Sequence, residues 1–548
     1  MVVPPKLDRD SAIAIMTKER SDDPSLVTEH SSHESSSVDD DDFHHIIKAT
    51  PNNELRATPA MHRSIRIALL GAVQFGWMMT EMAYLPYNNV AFCRMPRIPT
   101  GQCLLYPGHS TAEWTMQSTA WAVGGGVGAL LSAFPADTFG RQKTLGFNGL
   151  IMIVGGLVQM LAGDIYTFAV GRGLSGIASG VAINVLNNYL REIAPRQWRM
   201  FYLLLVQVAL SIGTLLVTTL MYAIPDVPSS EWQFKPLFGG PIIIGLLQLA
   251  LMGQIVESPT WLIQSHQVDA ARHVMAQLYM PCDMEEHEAT MVASIQRQAQ
   301  ETEKASSKLA LLLSPKYRAQ FSIAIVLSTM QQLCGMNALV VYGPAMFKAI
   351  GIKELRLSNT LVNFGRFHDM YLAMKLGDRF NRRTLLLAGS VGMCLAAIGF
   401  TLCQIYMDDT TKWLQIVCTL VFVGSFCFSI GSLGWLVSTE LVPEALGATS
   451  GAVSTFFTWT AQFFIGVYFQ QISNPANWGT HAFFIFAGVM FVFFWFVWFC
   501  VPETRNKSTD EITAIFFTQP CDDDVETGRA QNGFIYFDKD EDCILGSP

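Results

Sequence analysis

Between residues 67 and 501 the chain returns repeatedly to apolar stretches of about 20 residues, each long enough to cross the hydrocarbon core of a bilayer as a helix. No other feature constrains the fold as much. In hydrocarbon every backbone N–H and C=O must be satisfied within the segment, so stretches of this length specify helices rather than loops or open strands. Of the 548 residues 50% are hydrophobic and only 15% charged, against roughly 25% charge in soluble chains. The fold class that follows is an all-α polytopic membrane protein.

Periodicity and loop signals predict twelve transmembrane helices, near 67–87, 114–134, 144–162, 166–190, 200–223, 237–256, 321–349, 355–377, 384–406, 413–438, 448–471 and 480–501. They fall into two groups of six. Residues 1–62 are rich in Ser, Asp and His and read as a disordered tail. Residues 63–256 form the first six-helix bundle, 257–320 a linker, 321–502 the second bundle and 503–548 an acidic C-terminal tail. Within the linker, VDAARHVMAQLYM suits a short amphipathic helix on a membrane face. Arg63 and Arg66 precede the first span, and Arg141, Lys143, Arg191, Arg196, Arg199, Arg379, Arg382, Arg383, Arg505 and Lys507 lie in loops of the same parity. The positive-inside rule places those loops, the linker and both termini in the cytosol. The plasma membrane is the default expectation. The opening MVVPPKLDRD lacks a secretory apolar core, so the first span is expected to serve as the targeting signal.

The net charge of −9 comes mostly from acidic runs in the tails, such as Asp39 to Asp42 and Asp538 to Asp542, and gives no basis for a nucleic-acid partner. Eleven cysteines are scattered, most of them inside spans. Cys93 and Cys103 share one loop on the outer side; a disulfide and two free thiols fit equally. No CxxC pair, HExxH motif, P-loop or nucleophile elbow occurs, so neither an enzyme activity nor a metal or other cofactor is implied.

The two groups of spans repeat each other. DTFGRQK (Asp137, Arg141), REIAPRQWR (Glu192, Pro195, Arg199) and VESPTWL (Glu257) in the first half are matched in order by DRFNRR (Asp378, Arg382), TELVPEALG (Glu440, Pro443) and VPETRNKS (Glu503) in the second. Asp137, Glu192 and Glu257 stand 55 and 65 residues apart; Asp378, Glu440 and Glu503 stand 62 and 63 apart. Three landmarks in register mark an internal duplication. Two parallel six-helix repeats are a transporter architecture, with the binding site near the midplane between them.

One stretch of the seventh span, QQLCGMNALVVY, carries three side-chain amides, each of which costs free energy in hydrocarbon unless something bonds to it. On a straight helix Gln331, Gly335 and Tyr342 share a face, whereas Asn337 lies well round from Gln331. For both amides to meet one ligand the helix must bend or unwind, and Gly335 is where it can. An amide offers two donors and an acceptor without charge, which suits a polyhydroxylated ligand; interhelical hydrogen bonding is the plainer use.

These landmarks, with GRGLSGIASG in the fourth span and QQLCGMN in the seventh, resemble the sugar porter family of the major facilitator superfamily, which includes the facilitative glucose transporters. The resemblance covers residues 65 to about 512 and neither tail. It implies a twelve-helix major facilitator fold, alternating access, and a small-molecule sugar, most naturally a hexose, as the substrate held within the bilayer. It assigns hydroxyl-binding amides to Gln331, Gln332 and Asn337, and by motif alignment adds Gln207 in the fifth span, Trp435 in GSLGW, and Trp459 and Gln462 in FTWTAQ. Trp435 carries more weight than Trp459. Asn363 is the nearest match to a sugar-facing Asn of the eighth span, about one turn too far from DRFNRR.

The resemblance also implies a charged lock at the inner ends of the spans. Asp137, Arg141, Glu192, Arg199, Asp378, Arg382 and Glu440 are its members, with ion pairs expected across the two halves. Three positions depart from the family: Gly447 stands where an Arg is expected, Asn381 where a Gly is, and Thr260 where the Arg of PESPR is. Proton-coupled members carry an Asp in the first span at the position of Met78. Glu81, three residues on, is expected to pair with Arg172, as a structural pair slightly ahead of a displaced proton site. The eighth span places Arg366, His368, Asp369 and Lys375 where lipid should be; a charged cavity lining, a shifted span and an error in the sequence are the competing readings, and the charges are the feature that would favour an ionic substrate. A porter for a polyol, inositol or organic ion, and a non-transporting sugar sensor, are the rival functions.

Overall fold

The computed structural model describes residues 55–82, 106, 108–195, 198–224, 233, 235–280, 292–293, 295–296, 300, 307–339, 360, 363–365, 367, 380–406, 409–472, 477–505, 507 and 509–516. Among these the chain is helical, the one β contact being an isolated bridge between Ala57 and Tyr279. The helices in chain order are α1 (Pro59–Ala68), α2 (Leu70–Thr80), α3 (Thr111–Phe139), α4 (Arg141–Leu161), α5 (Ile165–Ile193), α6 (Arg199–Leu220), α7 (Pro236–Leu251), α8 (Pro259–Gln264), α9 (Val268–Leu278), α10 (Lys308–Leu312), α11 (Arg318–Leu333), α12 (Arg382–Ile405), α13 (Asp409–Phe428), α14 (Ile430–Glu440), α15 (Gly447–Ile472), α16 (Phe484–Cys500) and α17 (Thr509–Phe516).

Eleven of the twelve expected spans coincide with these helices, α1–α2 together forming the first and α13–α14 the tenth. Eight helical stretches among the described residues are long and apolar enough to cross a membrane on their own. The eighth span falls almost wholly outside the described residues, and with it Asp378 and the charges at 366, 368, 369 and 375; the loop holding Cys93 and Cys103 also lies outside them.

Local chemistry sets the helix ends. A capping box opens α3, where the Ser110 hydroxyl accepts from Glu113 N–H and the Glu113 carboxylate accepts from Ser110 N–H. Asp164 caps α5 by accepting from the N–H groups of Tyr166 and Thr167. Pro241 inside α7 has no N–H to offer the Leu237 carbonyl one turn back. The Trp77 indole N–H of α2 donates to that carbonyl at 2.8 Å, so a proline is accommodated in a span without leaving an orphan in hydrocarbon.

Packing in the first half depends on small residues. A Cβ on Gly124 or Gly128 of α3 would lie 2.1 Å from a backbone carbonyl of α5, and one on Gly180 of α5 would lie 2.1 Å from the Gly125 carbonyl of α3. The two backbones touch, as the GxxxG spacing permits.

The tails differ from the expectation at their inner edges. Residues 55–58 pair with the end of α9, through Thr58 N–H to the Leu278 carbonyl at 3.0 Å and Met280 N–H to the Arg56 carbonyl at 3.0 Å, and Met61 is fully buried. At the other end α17 buries Ile512, and Gln320 donates to Thr513 at 3.1 Å. In both places an apolar side chain finds a groove beside the bundle, so the segment folds onto it.

Candidate functional site

The seventh span breaks where its glycine permits. α11 ends at Leu333, Gly335 takes φ +95°, and residues 336–339 turn helical again. A side chain at 335 would be strained by that φ, and its Cβ would lie 2.4 Å from the Phe486 ring. The tenth span breaks as well, at Ser429, with φ −119° and ψ −111°. Gln331 ties the two irregularities together by donating to the Gly431 carbonyl at 2.8 Å. Gln332 and Asn337, on either side of the break, bond to each other through their amides.

Around this break the helices enclose a cavity of about 900 Å³, its mouth included. From the first half it is lined by Phe75 and Met79 of α2, Ile183 and Asn187 of α5, and Leu203, Val206, Gln207, Leu210 and Thr214 of α6. From the second come Gln331, Gln332, Met336 and Asn337, then Phe426, Ser432, Trp435 and Leu436 of the tenth span, and Thr458, Trp459 and Gln462 of α15. Seven of the eight residues expected at the binding site thus converge. Asn363 does not line the cavity.

The seven are not equivalent. Gln331 is buried and committed in part to Gly431, while the Gln207 and Gln462 amides are half-buried with no hydrogen-bond partner among the described residues. Trp435 is half-buried and also lines a smaller cavity nearer the charged loops. Trp459 is 3% exposed and packs edge-on against Trp121 at 4.7 Å and Phe75 at 5.6 Å, so it joins the halves as much as it faces the cavity. The sequence reading missed Phe75, Asn187, Thr214, Ser432 and Thr458. For Asn187 a signal existed: three asparagines, Asn184, Asn187 and Asn188, in one spanning helix are costly unless used.

Glu81 and Arg172 form a buried ion pair at 2.6 Å, their side chains 0% and 4% exposed. The guanidinium also lies 5.7 Å from the Trp121 ring centroid. Neither residue lines the cavity; Trp121, beside the guanidinium, packs against Phe75 and Trp459, which do.

At the charged end the expected cross-half pairing is corrected. Glu192 accepts from Arg141 at 2.6 Å and from the Ser258 hydroxyl, all within the first half. Glu440 faces Arg382 at 3.7 Å and accepts from Thr504, all within the second. Asp137 pairs with Lys308 at 2.7 Å and stands 3.7 Å from Arg141. The physical reason is a second carboxylate in each half. Glu257 accepts from the N–H groups of Arg141 and Gln142, at 2.8 Å and 3.2 Å, and Glu503 from those of Arg382 and Arg383, both at 3.1 Å. Each draws the start of its neighbouring helix inward and aims the arginine at its own half. Burial pushes the Glu257 carboxyl above the usual range despite these donors. Gly140 makes the first-half turn with φ +92°, whereas Asn381 makes the second with an ordinary φ of −68°, which is why no glycine is needed there.

Among the described residues three polar contacts cross between the halves at this end. Arg199 pairs with Glu444 at 2.9 Å, Arg191 donates to the Val442 carbonyl, and Asn184 donates to the Ala448 carbonyl at 3.2 Å. Of the expected lock residues that are described, Arg199 is the one that forms an ion pair with the other half. The charged end is closed.

Comparison with known proteins bears on this arrangement. The family model described as Sugar (and other) transporter matches residues 64–516. The chain is 29% identical over 481 residues to the human protein named solute carrier family 2, facilitated glucose transporter member 4, covering 85% of this chain and 92% of that one. Over 480 residues it is 28% identical to member 3 of the same series from Oryctolagus cuniculus, covering 85% and 94%. Its fold matches that of the proton:xylose symporter XylE bound to 6-bromo-6-deoxy-D-glucose, with a TM-score of 0.72 at 21% identity over 83% of this chain and 99% of that one. The inward-open form of XylE from E. coli matches with a TM-score of 0.62 at 20% identity, over 82% and 98%. With a family model spanning most of its length and the helical architecture to match, the chain belongs to the sugar transporter family of the major facilitator superfamily, and is a membrane carrier rather than an enzyme.

Proposed function

We propose that this protein carries a neutral hexose such as glucose by alternating access, as a facilitative carrier. The observation that supports this most is the lining of the cavity: amides, hydroxyls and indole rings converge from both halves, and no described lining residue is charged. Amides and hydroxyls match sugar hydroxyls as donors and acceptors, and an indole face covers the apolar face of a pyranose. An organic ion would bring an uncompensated charge into this setting. The names of the relatives, facilitated glucose transporters, point the same way.

The halves, 63–256 and 321–502, rock about the cavity with the linker 257–320 and both termini in the cytosol. The facilitative mode is supported by the seat of Glu81, fully buried against Arg172 and apart from the cavity. One observation favours proton coupling instead: Glu81 Oε2 has no partner among the described residues. Uptake of labelled glucose into proteoliposomes, with and without an inward proton gradient, tests both. Saturable uptake indifferent to the gradient supports a facilitative carrier. Accumulation driven by the gradient and lost in Glu81→Gln overturns that mode, and glucose binding without flux overturns transport in favour of a sensor.

A further inference from the structure

Arg191 has a place that neither the repeat nor the resemblance assigns. It lies near the end of α5, is 1% exposed, and reaches out of the first half to donate to the Val442 carbonyl of the second. Its Nε and Nη1 are buried with no hydrogen-bond partner among the described residues. A buried guanidinium with two idle donors costs free energy, so its persistence here needs a reason.

The repeat supplies one. Glu192-x-x-Pro195-x-x-x-Arg199 in the first half aligns with Glu440-x-x-Pro443-x-x-x-Gly447 in the second, so the second half lacks the arginine that would reach back. A Cβ built on Gly447 would lie 2.9 Å from Asn188 Oδ1 and 3.4 Å from Arg191 Nη1. The space into which a side chain at 447 would grow is already occupied by Arg191 and its neighbour one turn back.

We infer that Arg191 stands in for the arginine missing at position 447 and is the positioning residue that latches the charged end shut. The two cross-half arginines, 191 and 199, then both come from the first half, one held by the Val442 carbonyl and one by Glu444. In a symmetric lock each half would contribute one. The inference rests on the alternating-access reading.

The test is reactivity of a thiol introduced by Thr439→Cys, a half-buried position lining the smaller cavity beside Arg191. The protein is held in lipid nanodiscs, a polar maleimide is the probe, and labelling of the chain without that substitution is subtracted. Adding Arg191→Ala is expected to raise the labelling rate about fivefold, and Arg191→Lys, which keeps the charge, by less than about twofold. Gly447→Arg alone, which forces two guanidiniums into one space, is expected to raise labelling and slow uptake. Arg191→Gly combined with Gly447→Arg is expected to bring both back towards the starting values. Labelling indifferent to Arg191→Ala in a monodisperse preparation overturns the latch, as does a double variant no better than Gly447→Arg. Sugar uptake measured on the same preparations separates the two readings. Labelling that follows Arg191 without uptake overturns transport and leaves the latch, whereas uptake with indifferent labelling overturns the latch alone.

Discussion

The side-chain amide of Gln331 donates to the backbone carbonyl of Gly431 across 2.8 Å, fastening the bend of the seventh span to the break in the tenth. Gln331 therefore combines a structural and a ligand-facing position, and its loss should be felt in both. Gln331→Ala is expected to lower the thermal midpoint of the purified protein and raise the half-saturating sugar concentration together. Gln207→Ala and Gln462→Ala remove amides without partners among the described residues, and are expected to raise that concentration about tenfold, the worth of roughly 1.4 kcal/mol, with the midpoint unchanged. Equal midpoints for Gln331→Ala and Gln207→Ala would count against this distinction.

Gly335 is required twice over, by its φ of +95° and by the Phe486 ring. Alanine there is expected to cost about 1–2 kcal/mol from the backbone alone, with the ring contact adding to it. The measurement is thermal stability alongside uptake in Gly335→Ala and in Gly335→Ala with Phe486→Ala. Relief of part of the loss in the double variant is expected; the same loss in both would mean the ring plays no part.

Glu81 and Arg172 are buried together, so removing one leaves the other as an uncompensated charge. Either Glu81→Ala or Arg172→Ala is expected to cost about 3–5 kcal/mol, and the double variant less than either single one. Thermal denaturation in detergent decides this. A double variant worse than both singles would show that the two residues act separately.

Glu257 and Glu503 bind the starts of corresponding helices in the two halves with the same pattern of backbone donors. Glu257→Gln and Glu503→Gln should each destabilise by about 1–3 kcal/mol, while labelling at the Thr439→Cys reporter changes little because neither bond crosses between halves. A large rise in labelling with stability intact would mean that one of them belongs to the lock.

What the sequence could tell follows from which forces are local. The apolar spans were legible because hydrocarbon leaves a backbone one solution, and α3, α4, α5 and α12 begin and end within a few residues of their expected bounds. The break at Gly335 was legible from the angle between Gln331 and Asn337. Partner choice among charges was not: Arg141 stands close enough to several carboxylates that only the inward pull of Glu257 on the helix start settles its partner as Glu192. Nor could spacing show that Gln331 would reach Gly431, or that Thr214 and Thr458 from distant spans would share a cavity. Asn363 was placed by motif alone and does not reach the cavity lining.

The twin clamps at Glu257 and Glu503 have a mechanical consequence. Because each closes on its own six helices, every half is stiffened like a lever arm, and a stroke leaves those charges at rest. Motion concentrates at the seam, where Arg199 and Glu444 meet with about a fifth of each side chain open to water. Damage to a clamp should therefore register as a shortage of assembled protein, whereas damage at the seam should register as an altered tempo of an otherwise sound machine.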